Sequence, residues 1–314
     1  MHKKCLYCYK ELESPEGDYH RACSLEFFGS EMAPQLDYSL DQMVNLAKNV
    51  VERRVSVPGV QPKLSLSLVD QALGKEQGRL TVVGALGGNY ILKPPSGGFP
   101  EMPQNEHLTM RIAEAFGIKT VMSGLIRLKS GELSYITKRI DRSNSGEKIH
   151  MLDMFQILEA VDKYKGSMER VGKAIGSYSN NSLLDKLYFF ELSVFCFLSG
   201  NNDMHLKNFS LINNGEAWGL SPEYDLLNVS TINPGDNEEL ALSLNGKKRR
   251  LKKEDFNQLG ANLGLNEKQL QGVYKRFSRH KNVALNWIQN SFLSSEYQKK
   301  YMELLEQRYT VFFK

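Results

Sequence analysis

The stretch LSGNNDMHLKNFSLI, residues 198–212, places a dense polar core between two apolar ends. The core holds an acid, an imidazole, an amine and three amides within eight residues. These residues are Asn201, Asn202, Asp203, His205, Lys207 and Asn208. The preceding segment, SLLDKLYFFELSVFCFL, is apolar on nearly every side, which predicts a central buried helix. That helix would lead directly into the polar core.

The spacing inside this core matches the requirements of phosphoryl transfer. Asp203 precedes Asn208 by five residues, as the catalytic Asp precedes the metal-binding Asn in the loop of protein kinases. Such an Asp accepts the proton of the attacking hydroxyl, and the Asn helps to hold Mg²⁺. A second metal-binding carboxylate should follow on the next strand pair, where Asp225 lies in SPEYDLL. A single Asp–Asn spacing is common, so it predicts little alone.

Two further residue types should come from the first half of the chain. A lysine on a strand should hold the phosphates, and Lys93 in NYILKPP fits. A helix after that strand should supply a glutamate, either Glu106 or Glu101. The alternatives are a surface lysine on an edge strand and a glutamate that only favours a helix N-terminus. Together and in this order, the residues are much more specific than any one of them.

Two residues of the polar core keep alternative interpretations. His205 could bind a nucleotide phosphate or could be a buried histidine that orients the loop. Lys207 would neutralise charge near the transferred phosphoryl group, and the alternative is a solvated lysine.

The pattern of apolar residues changes along the chain. Before residue 148 it favours short strands, with helices over SLDQMVNLAKNVVERR, where Ser39 and Gln42 form a capping box, and over EHLTMRIAEAFG. Afterwards MLDMFQILEAV, MERVGKAIG and the C-terminal tail are helical in pattern, and FSLINNGEAWGLSPEYDLL predicts two strands around Asn214–Gly215. We therefore predict an α+β class with a bilobal, protein-kinase-like fold and a cleft between the lobes.

The predicted domains are a zinc knuckle over 1–30, an N-lobe over 31–145 and a helical C-lobe over 146–314. The knuckle is predicted from the pattern C-x2-C-x11-H-x2-C, formed by Cys5, Cys8, His20 and Cys23. Two close ligand pairs on either side of a short loop suit a structural tetrahedral zinc site. The alternative is a set of reduced cytosolic thiols without metal. Cys196 in VFCFL is predicted to be a small buried residue.

Composition excludes several classes of protein. The 314 residues are 41% hydrophobic and 24% charged, as in a globular protein, with a net charge of +4. No apolar run reaches the roughly 18 residues of a membrane span, and the N-terminus has no signal-peptide core. We expect a cytoplasmic protein without membrane contact. The basic stretch GKKRRLKK, 246–253, is better explained by a solvated turn than by direct nucleic-acid binding.

Four motifs together resemble one known family. GNNDMHLKNFS resembles the catalytic signature of the HipA-like serine/threonine kinase toxins, and SVPGVQPK resembles their glycine loop. YILKP and PEYDL are similar to the lysine strand and the metal-binding aspartate of that family. The resemblance covers about residue 53 to the C-terminus.

The resemblance implies an ATP- and Mg²⁺-dependent serine/threonine protein kinase. Asp203 would be the catalytic base, Asn208 and Asp225 would hold Mg²⁺, and Lys93 would contact the α- and β-phosphates. Ser56 matches a serine that these kinases phosphorylate on themselves, which would add about −2 charge and switch the kinase off. The residues expected to contact nucleotide in the glycine loop are Val57, Pro58, Gly59, Val60 and Gln61, and those in the hinge are Lys138, Arg139 and Ile140.

The chain also departs from the family pattern. Full-length toxins carry a β-rich N-terminal subdomain, whereas only 55 residues precede Ser56. The chain thus resembles truncated members, in which that piece is a separate small protein. Pro58 and Pro62 would stiffen the glycine loop. The implied partners are a HipB-like DNA-binding antitoxin, such a small protein, and a protein substrate such as an aminoacyl-tRNA synthetase.

Two other classes of function remain open at the level of sequence. A phosphotransferase for a small molecule would share the phosphate chemistry, although the glycine loop favours a protein kinase. A non-catalytic pseudokinase scaffold would use the knuckle or the basic turn to recruit a partner, but every expected catalytic residue is present.

Overall fold

The structure is a computed structural model that describes residues 3–13, 17–52, 63–69, 77–83, 87–143 and 145–313. Ser56 and the predicted nucleotide-binding residues Val57–Gln61 lie outside these ranges. Internal contacts divide the chain into two compact units. Unit 1 is Met1–His107 with Val121–Glu147, and unit 2 is Leu108–Thr120 with Lys148–Lys314. The predicted domain limits remain a prediction.

Unit 1 is built on a five-stranded antiparallel sheet with the strand order β2-β1-β3-β5-β4. Its elements are α1 (Arg21–Phe28), α2 (Leu40–Glu52), β1 (Leu64–Val69), β2 (Arg79–Val83), β3 (Tyr90–Lys93), α3 (Met102–Ala115), β4 (Ser123–Arg127) and β5 (Leu133–Lys138). Helix α3 ends in unit 2. The predicted capping box is confirmed, because the Gln42 side chain accepts from the Ser39 N–H at 2.8 Å and Ser39 Oγ accepts from the Gln42 N–H at 3.4 Å.

One row of residues across the sheet shows how unit 1 packs. Leu64 pairs with Leu92, Leu92 with Ile136, and Ile136 with Gly124. The three large side chains of this row are almost wholly buried. A Cβ at Gly124 would lie 2.6 Å from the Tyr19 hydroxyl, so only glycine admits this tyrosine against the edge of the sheet.

Unit 2 is mainly helical. Its elements are β6 (Met151–Asp153), α4 (Met154–Ile157), α5 (Met168–Tyr178), α6 (Ser182–Ser199), a 3₁₀ turn (Leu206–Asn208), β7 (Ser210–Asn213), β8 (Trp218–Leu220), α7 (Val229–Ile232), α8 (Lys253–Asn262), α9 (Glu267–Arg279), α10 (Lys281–Asn290) and α11 (Ser295–Phe312). Strands β6, β7 and β8 form a small antiparallel sheet in that order.

Helix α6 is the predicted central helix of unit 2, and this prediction is confirmed. Phe189, Phe190 and Phe197 on this helix are fully buried, and so is Cys196. The helix ends at Gly200, whose φ of 71° lies in the left-handed region. Among the described helices, none is long and apolar enough to cross a membrane.

The prediction of a helix over MLDMFQILEAV is wrong. Its first three residues form strand β6, which pairs with β7, and helix α4 lasts only four residues. The Asp153 carboxylate accepts from the Gln156 N–H at 2.8 Å and so caps α4 one turn later than the pattern predicted. Glu159 has a φ of 48°, which stops the helix.

Two lysines of the basic turn near residue 247 form ion pairs within unit 2. Lys247 Nζ lies 2.8 Å from Asp255 Oδ1, and Lys248 Nζ lies 3.2 Å from Glu238 Oε2. Asp255 is buried and also accepts from the Asn245 amide at 3.0 Å. Burial raises the pKa of Asp255, but the hydrogen bonds from Lys247 and Asn245 outweigh it, so the pKa lies below its usual range.

We expect Asp255→Asn to destabilise the chain by about 1.5–3 kcal/mol at pH 7, because a buried charged acceptor is lost. Urea unfolding followed by circular dichroism measures this, with the exposed Glu254→Gln as the matched control. A lowered pKa stabilises the folded state above the unfolded value of 3.8. The difference between wild type and variant should therefore persist at pH 5 and shrink only below pH 4. Equal midpoints at pH 7 would contradict the expectation.

Candidate active site

The polar core of the opening stretch folds as a loop that hydrogen-bonds to itself. Asp203 N–H donates to the Asn201 side chain at 3.3 Å, and His205 N–H donates to the Asp203 carbonyl at 2.8 Å. Asn208 N–H donates to the His205 carbonyl at 2.9 Å. At the start of the loop, the Gly200 carbonyl accepts two N–H groups from the beginning of α7, each at 3.1 Å. The loop is therefore rigidly attached to unit 2.

The Asp203 carboxylate has a partner that the sequence did not reveal. Tyr164 donates its hydroxyl to Asp203 Oδ1 at 2.7 Å. Burial, together with this bond to Asp203, raises the pKa of Tyr164. Asp203 is half-buried, so one oxygen is fixed while the group keeps some access to solvent. Tyr164 lies in VDKYKG, where no motif or spacing marks it.

His205 fastens the loop to the same segment. Its Nε2 lies 2.9 Å from Lys163 Nζ, and its Nδ1 lies 3.3 Å from the Lys207 backbone nitrogen. The Leu206 N–H donates to the Lys163 carbonyl at 3.1 Å. These contacts support the orienting role that the sequence allowed for His205. Sequence reasoning missed Lys163 as well.

The two predicted magnesium ligands lie next to each other. Asn208 Nδ2 lies 3.4 Å from Asp225 Oδ2. Asn208 is buried at the end of the 3₁₀ turn, and Asp225 is half-buried after β8. Asp225 has a φ of 62°, a strained conformation for a residue other than glycine, of the kind that clusters at functional sites. An amide and a carboxylate offer oxygen donors of the type that Mg²⁺ prefers, so this pair fits the ion.

Tyr224 supports both ends of that pair. Its hydroxyl lies 2.6 Å from Ser210 Oγ and donates to the Lys207 carbonyl at 3.1 Å. The Lys207 side chain is exposed, and its Nζ lies 4.6 Å from the centroid of the Phe155 ring. Lys207 therefore carries a positive charge at the surface of the loop, close to Asp203 in sequence.

Unit 1 contains the predicted lysine–glutamate pair. Lys93 Nζ donates to Glu106 Oε1 at 2.6 Å, and both side chains are buried. The lysine also lies 5.5 Å from the centroid of the Tyr135 ring, and burial followed by the charge of Glu106 raises the pKa of that tyrosine. Of the two glutamates that the sequence left open, the structure pairs Glu106 with the lysine.

The predicted hinge residues make contacts inside unit 1. The guanidinium of Arg139 binds Asp141 through two hydrogen bonds of 2.8 and 2.6 Å. Lys138 Nζ lies 5.9 Å from the centroid of the Phe27 ring, and burial lowers its pKa. The N–H groups of Lys138 and Arg139 both donate to carbonyls of the unit. Ile140 is half-buried. A contact of these residues with nucleotide remains a prediction.

The predicted metal ligands of the N-terminus form the cysteine–histidine cluster, which consists of Cys5, Cys8, His20 and Cys23. One ligand atom from each residue lies within 4.8 Å of the other three. A hydrogen bond from Cys8 lowers the pKa of Cys5 to about 4, and the same contact raises the pKa of Cys8. Three sulfurs and an imidazole nitrogen are the donors of a structural zinc site.

Two solved structures show a similar fold. The Shewanella oneidensis toxin HipA, in its complex with HipB and operator DNA, matches with a TM-score of 0.67 and 22% identity, over 84% of this chain and 70% of that chain. The Helicobacter pylori proinflammatory kinase CtkA matches with a TM-score of 0.52 and 16% identity, over 79% of this chain and 93% of that one. The α+β, protein-kinase-like fold class is therefore confirmed.

The chain belongs to the family described as the HipA-like C-terminal domain, whose model matches residues 55–285. A Haemophilus influenzae protein named "Putative kinase" is 28% identical over 263 residues, 74% of each chain. A second "Putative kinase", from Sinorhizobium fredii, is 34% identical over 232 residues, 68% of this chain and 55% of the relative. The chain thus spans only about half the length of the second. The names of both relatives support the conclusion that the chain is related to kinases.

We expect Lys93→Met to destabilise the chain by about 3–5 kcal/mol, because Glu106 would keep a buried charge without its lysine. The double variant Lys93→Met/Glu106→Gln should recover most of this loss. A double-mutant cycle from urea unfolding measures the coupling. The exposed pair Lys300–Glu296, also at 2.6 Å, is the matched control, and Lys300→Met should leave the midpoint unchanged. Additive single-site effects at Lys93 and Glu106 would contradict a coupled pair.

Proposed function

We propose that the protein is an ATP-dependent serine/threonine protein kinase, the toxin of a HipBA-like toxin–antitoxin system. The single observation that carries this proposal is the polar loop of unit 2 that begins at Asn201. There a carboxylate fixed by Tyr164 lies in the same short loop as Asn208, which is adjacent to Asp225. Positioned carboxylates and oxygen ligands are the main requirements of phosphoryl transfer.

Asp203 is the proposed catalytic base. The carboxylate, which Tyr164 holds by a hydrogen bond to Oδ1, is proposed to accept the proton of the attacking serine or threonine. The hydrogen bond also limits rotation of the carboxylate, which lowers the entropic cost of reaching the reactive geometry. The positive charge of Lys207 is proposed to stabilise the negative charge that develops on the transferred phosphoryl group.

Asn208 and Asp225 are proposed to hold Mg²⁺. When bound, the ion neutralises phosphate charge and orients the transferred group. Asn208 would supply its amide oxygen, which requires rotation of the amide because its nitrogen faces Asp225 in the structure. Tyr224 keeps the chain segments that carry both ligands in register.

Lys93 is proposed to contact the α- and β-phosphates of ATP, with Glu106 fixing its side chain. The family resemblance adds the glycine-loop residues Val57–Gln61 and the hinge Lys138–Ile140 to the nucleotide site. Ser56 is the proposed site of autophosphorylation, because about −2 charge on that loop would repel the phosphates of ATP.

The proposed partners follow from relatives and resemblance. The matched Shewanella oneidensis structure contains HipB and operator DNA. This supports a HipB-like, DNA-binding antitoxin for the present protein. A separate small protein that replaces the N-terminal subdomain, and an aminoacyl-tRNA synthetase as the substrate, are proposed from the resemblance alone. The proposed location is the cytoplasm.

Wild-type protein should transfer labelled phosphate from Mg-ATP to Ser56 or to one protein of a cell lysate. Asp203→Ala should lower the rate by about 10²–10⁴, the usual contribution of a general base. The exposed Asp41→Ala is the matched control and should keep the wild-type rate. Mass spectrometry before the assay establishes whether Ser56 is already phosphorylated.

If initially unphosphorylated wild type labels nothing, the protein-kinase proposal fails. Label on a small molecule would instead indicate a small-molecule phosphotransferase. Binding of Mg-ATP without transfer would indicate a pseudokinase.

Asn208→Ala and Asp225→Ala should each raise the Mg²⁺ concentration for half-maximal ATP binding on the order of tenfold, because each removes an oxygen ligand. A titration of a fluorescent ATP analogue with Mg²⁺ measures this without relying on catalysis. The exposed Asn262→Ala is the matched control. A wild-type Mg²⁺ dependence in both variants would remove these residues from the metal site.

A further inference from the structure

We propose that the cysteine–histidine cluster binds one zinc ion, and that this ion fixes the first turns of α3 through Tyr9 and His107. Because Glu106 precedes His107 directly on α3, the same ion steadies the Glu106–Lys93 pair. The zinc site thereby acts as a positioning element for the phosphate-binding lysine. The metal site stands without the proposed kinase function, and its effect on phosphate transfer rests on that function.

The distances within the cluster match those of a tetrahedral zinc site. With Zn–S near 2.3 Å and Zn–N near 2.05 Å, sulfur and nitrogen ligands of one ion lie about 3.6 Å apart. His20 Nδ1 lies 3.3 Å from Cys8 Sγ and 3.7 Å from Cys23 Sγ. The cysteine sulfurs and the histidine nitrogen therefore need only small shifts to ligate one ion.

The tautomer of His20 also suits a metal ligand. Its Nε2 lies 2.8 Å from the Glu11 carbonyl, which can only accept a hydrogen bond. The ring proton is therefore on Nε2, and the lone pair of Nδ1 points at the cysteine sulfurs. A histidine that ligates zinc usually donates its other N–H to a carbonyl or carboxylate in this way.

The turn that carries two of the cysteines is strained and needs external support. Tyr9 directly follows Cys8 and has a φ of 63°, which a residue other than glycine rarely adopts. The turn is closed by a hydrogen bond of 3.0 Å from the Tyr9 N–H to the Cys5 carbonyl. An ion bound to Cys5 and Cys8 would hold both ends of this turn and so maintain the backbone of Tyr9.

Tyr9 links this turn to α3. Its hydroxyl lies 3.0 Å from His107 Nδ1, and the two rings pack edge to face at 5.3 Å between centroids. Both residues are buried. Glu106, the next residue of α3, forms the 2.6 Å bond to Lys93. A change in the position of Tyr9 therefore acts on the helical turn that orients the lysine.

The segment is further fixed to the edge of the sheet. The Leu125 N–H donates to the Leu6 carbonyl at 3.1 Å, and the Tyr19 hydroxyl donates to the Leu125 carbonyl at 2.5 Å. The cluster is thus part of unit 1 and not a separate appendage. Loss of the ion would therefore loosen the packing of the sheet and of α3.

The first test measures zinc in the full-length protein by mass spectrometry of the metal. One zinc per chain is expected in wild type and in Cys196→Ala, the matched cysteine outside the cluster. Cys8→Ser and Cys23→Ser should lose the zinc. If these variants do not fold, removal of zinc from reduced wild type with a chelator, followed by re-addition, gives the same comparison. Less than one zinc for every ten wild-type chains, under reducing conditions with zinc supplied, overturns the metal site.

The second test measures amide hydrogen exchange of residues 105–107, because Pro103 has no amide hydrogen and the amides at the start of α3 have no helical carbonyl partner. Removal of zinc should speed this exchange, and re-addition should restore it. Tyr9→Phe should keep the zinc yet speed the exchange about fivefold, as expected for the loss of one hydrogen bond. The matched control is Tyr7→Phe, whose hydroxyl donates to Glu26 at 3.1 Å, and its exchange should equal that of wild type.

Substitution of His107 separates positioning from simple packing. His107→Asn retains a hydrogen-bonding group for the Tyr9 hydroxyl and should exchange like wild type, whereas His107→Leu should exchange like Tyr9→Phe. Unchanged exchange in the zinc-free chain overturns the link to α3. If zinc binds and controls exchange but wild type transfers no phosphate, the proposed kinase function fails while this inference stands.

Discussion

The buried ion pair between Lys93 and Glu106 is the constraint on which unit 1 depends. Two charges removed from water cost several kcal/mol each unless they meet closely and are further hydrogen-bonded. At 2.6 Å this pair meets that condition, but only while β3 and α3 keep their separation. The sheet, Tyr135 and the N-terminal segment around Tyr9 together hold that geometry. The distance between Lys93 and Glu106 therefore depends on the packing of the whole unit and not on these two residues alone.

The stretch that follows α6 has a different requirement. Its many polar groups come directly after a very apolar helix and need hydrogen-bond partners. Gly200 ends α6 in the left-handed conformation, and the chain then satisfies its polar atoms locally. Asn201 bonds within the loop, His205 reaches Lys163, and Asp203 binds Tyr164. The loop is thus held in place by its own hydrogen bonds, which is the preorganisation that the proposed electrostatic catalysis requires.

Sequence reasoning succeeded where a local pattern has one structural solution. The buried α6 and the hairpin at Asn214–Gly215 both follow from periodicity and turn chemistry. It failed for MLDMFQILEAV, because pairing with β7 is a non-local interaction that helical periodicity cannot report. The contact of Tyr164 was not predicted for the same reason, since its partner Asp203 lies 39 residues away in sequence. The sequence left two candidate partners for Lys93, Glu101 and Glu106. The structure shows that Glu106 on α3 forms the ion pair.

The N-terminal segment shows how a short stretch can contribute to a larger fold. Fewer than about 40 residues rarely form a stable core without a metal, a disulfide or a partner. This segment uses part of the sheet as its core, because Phe27 and Tyr19 pack where Gly124 leaves space on β4. In return it supplies hydrogen-bond partners to an edge strand whose groups would otherwise face another chain or solvent. The segment must also hold the strained turn at Tyr9. The proposed zinc ion would do this, because three sulfurs and an imidazole nitrogen surround one point beside that turn.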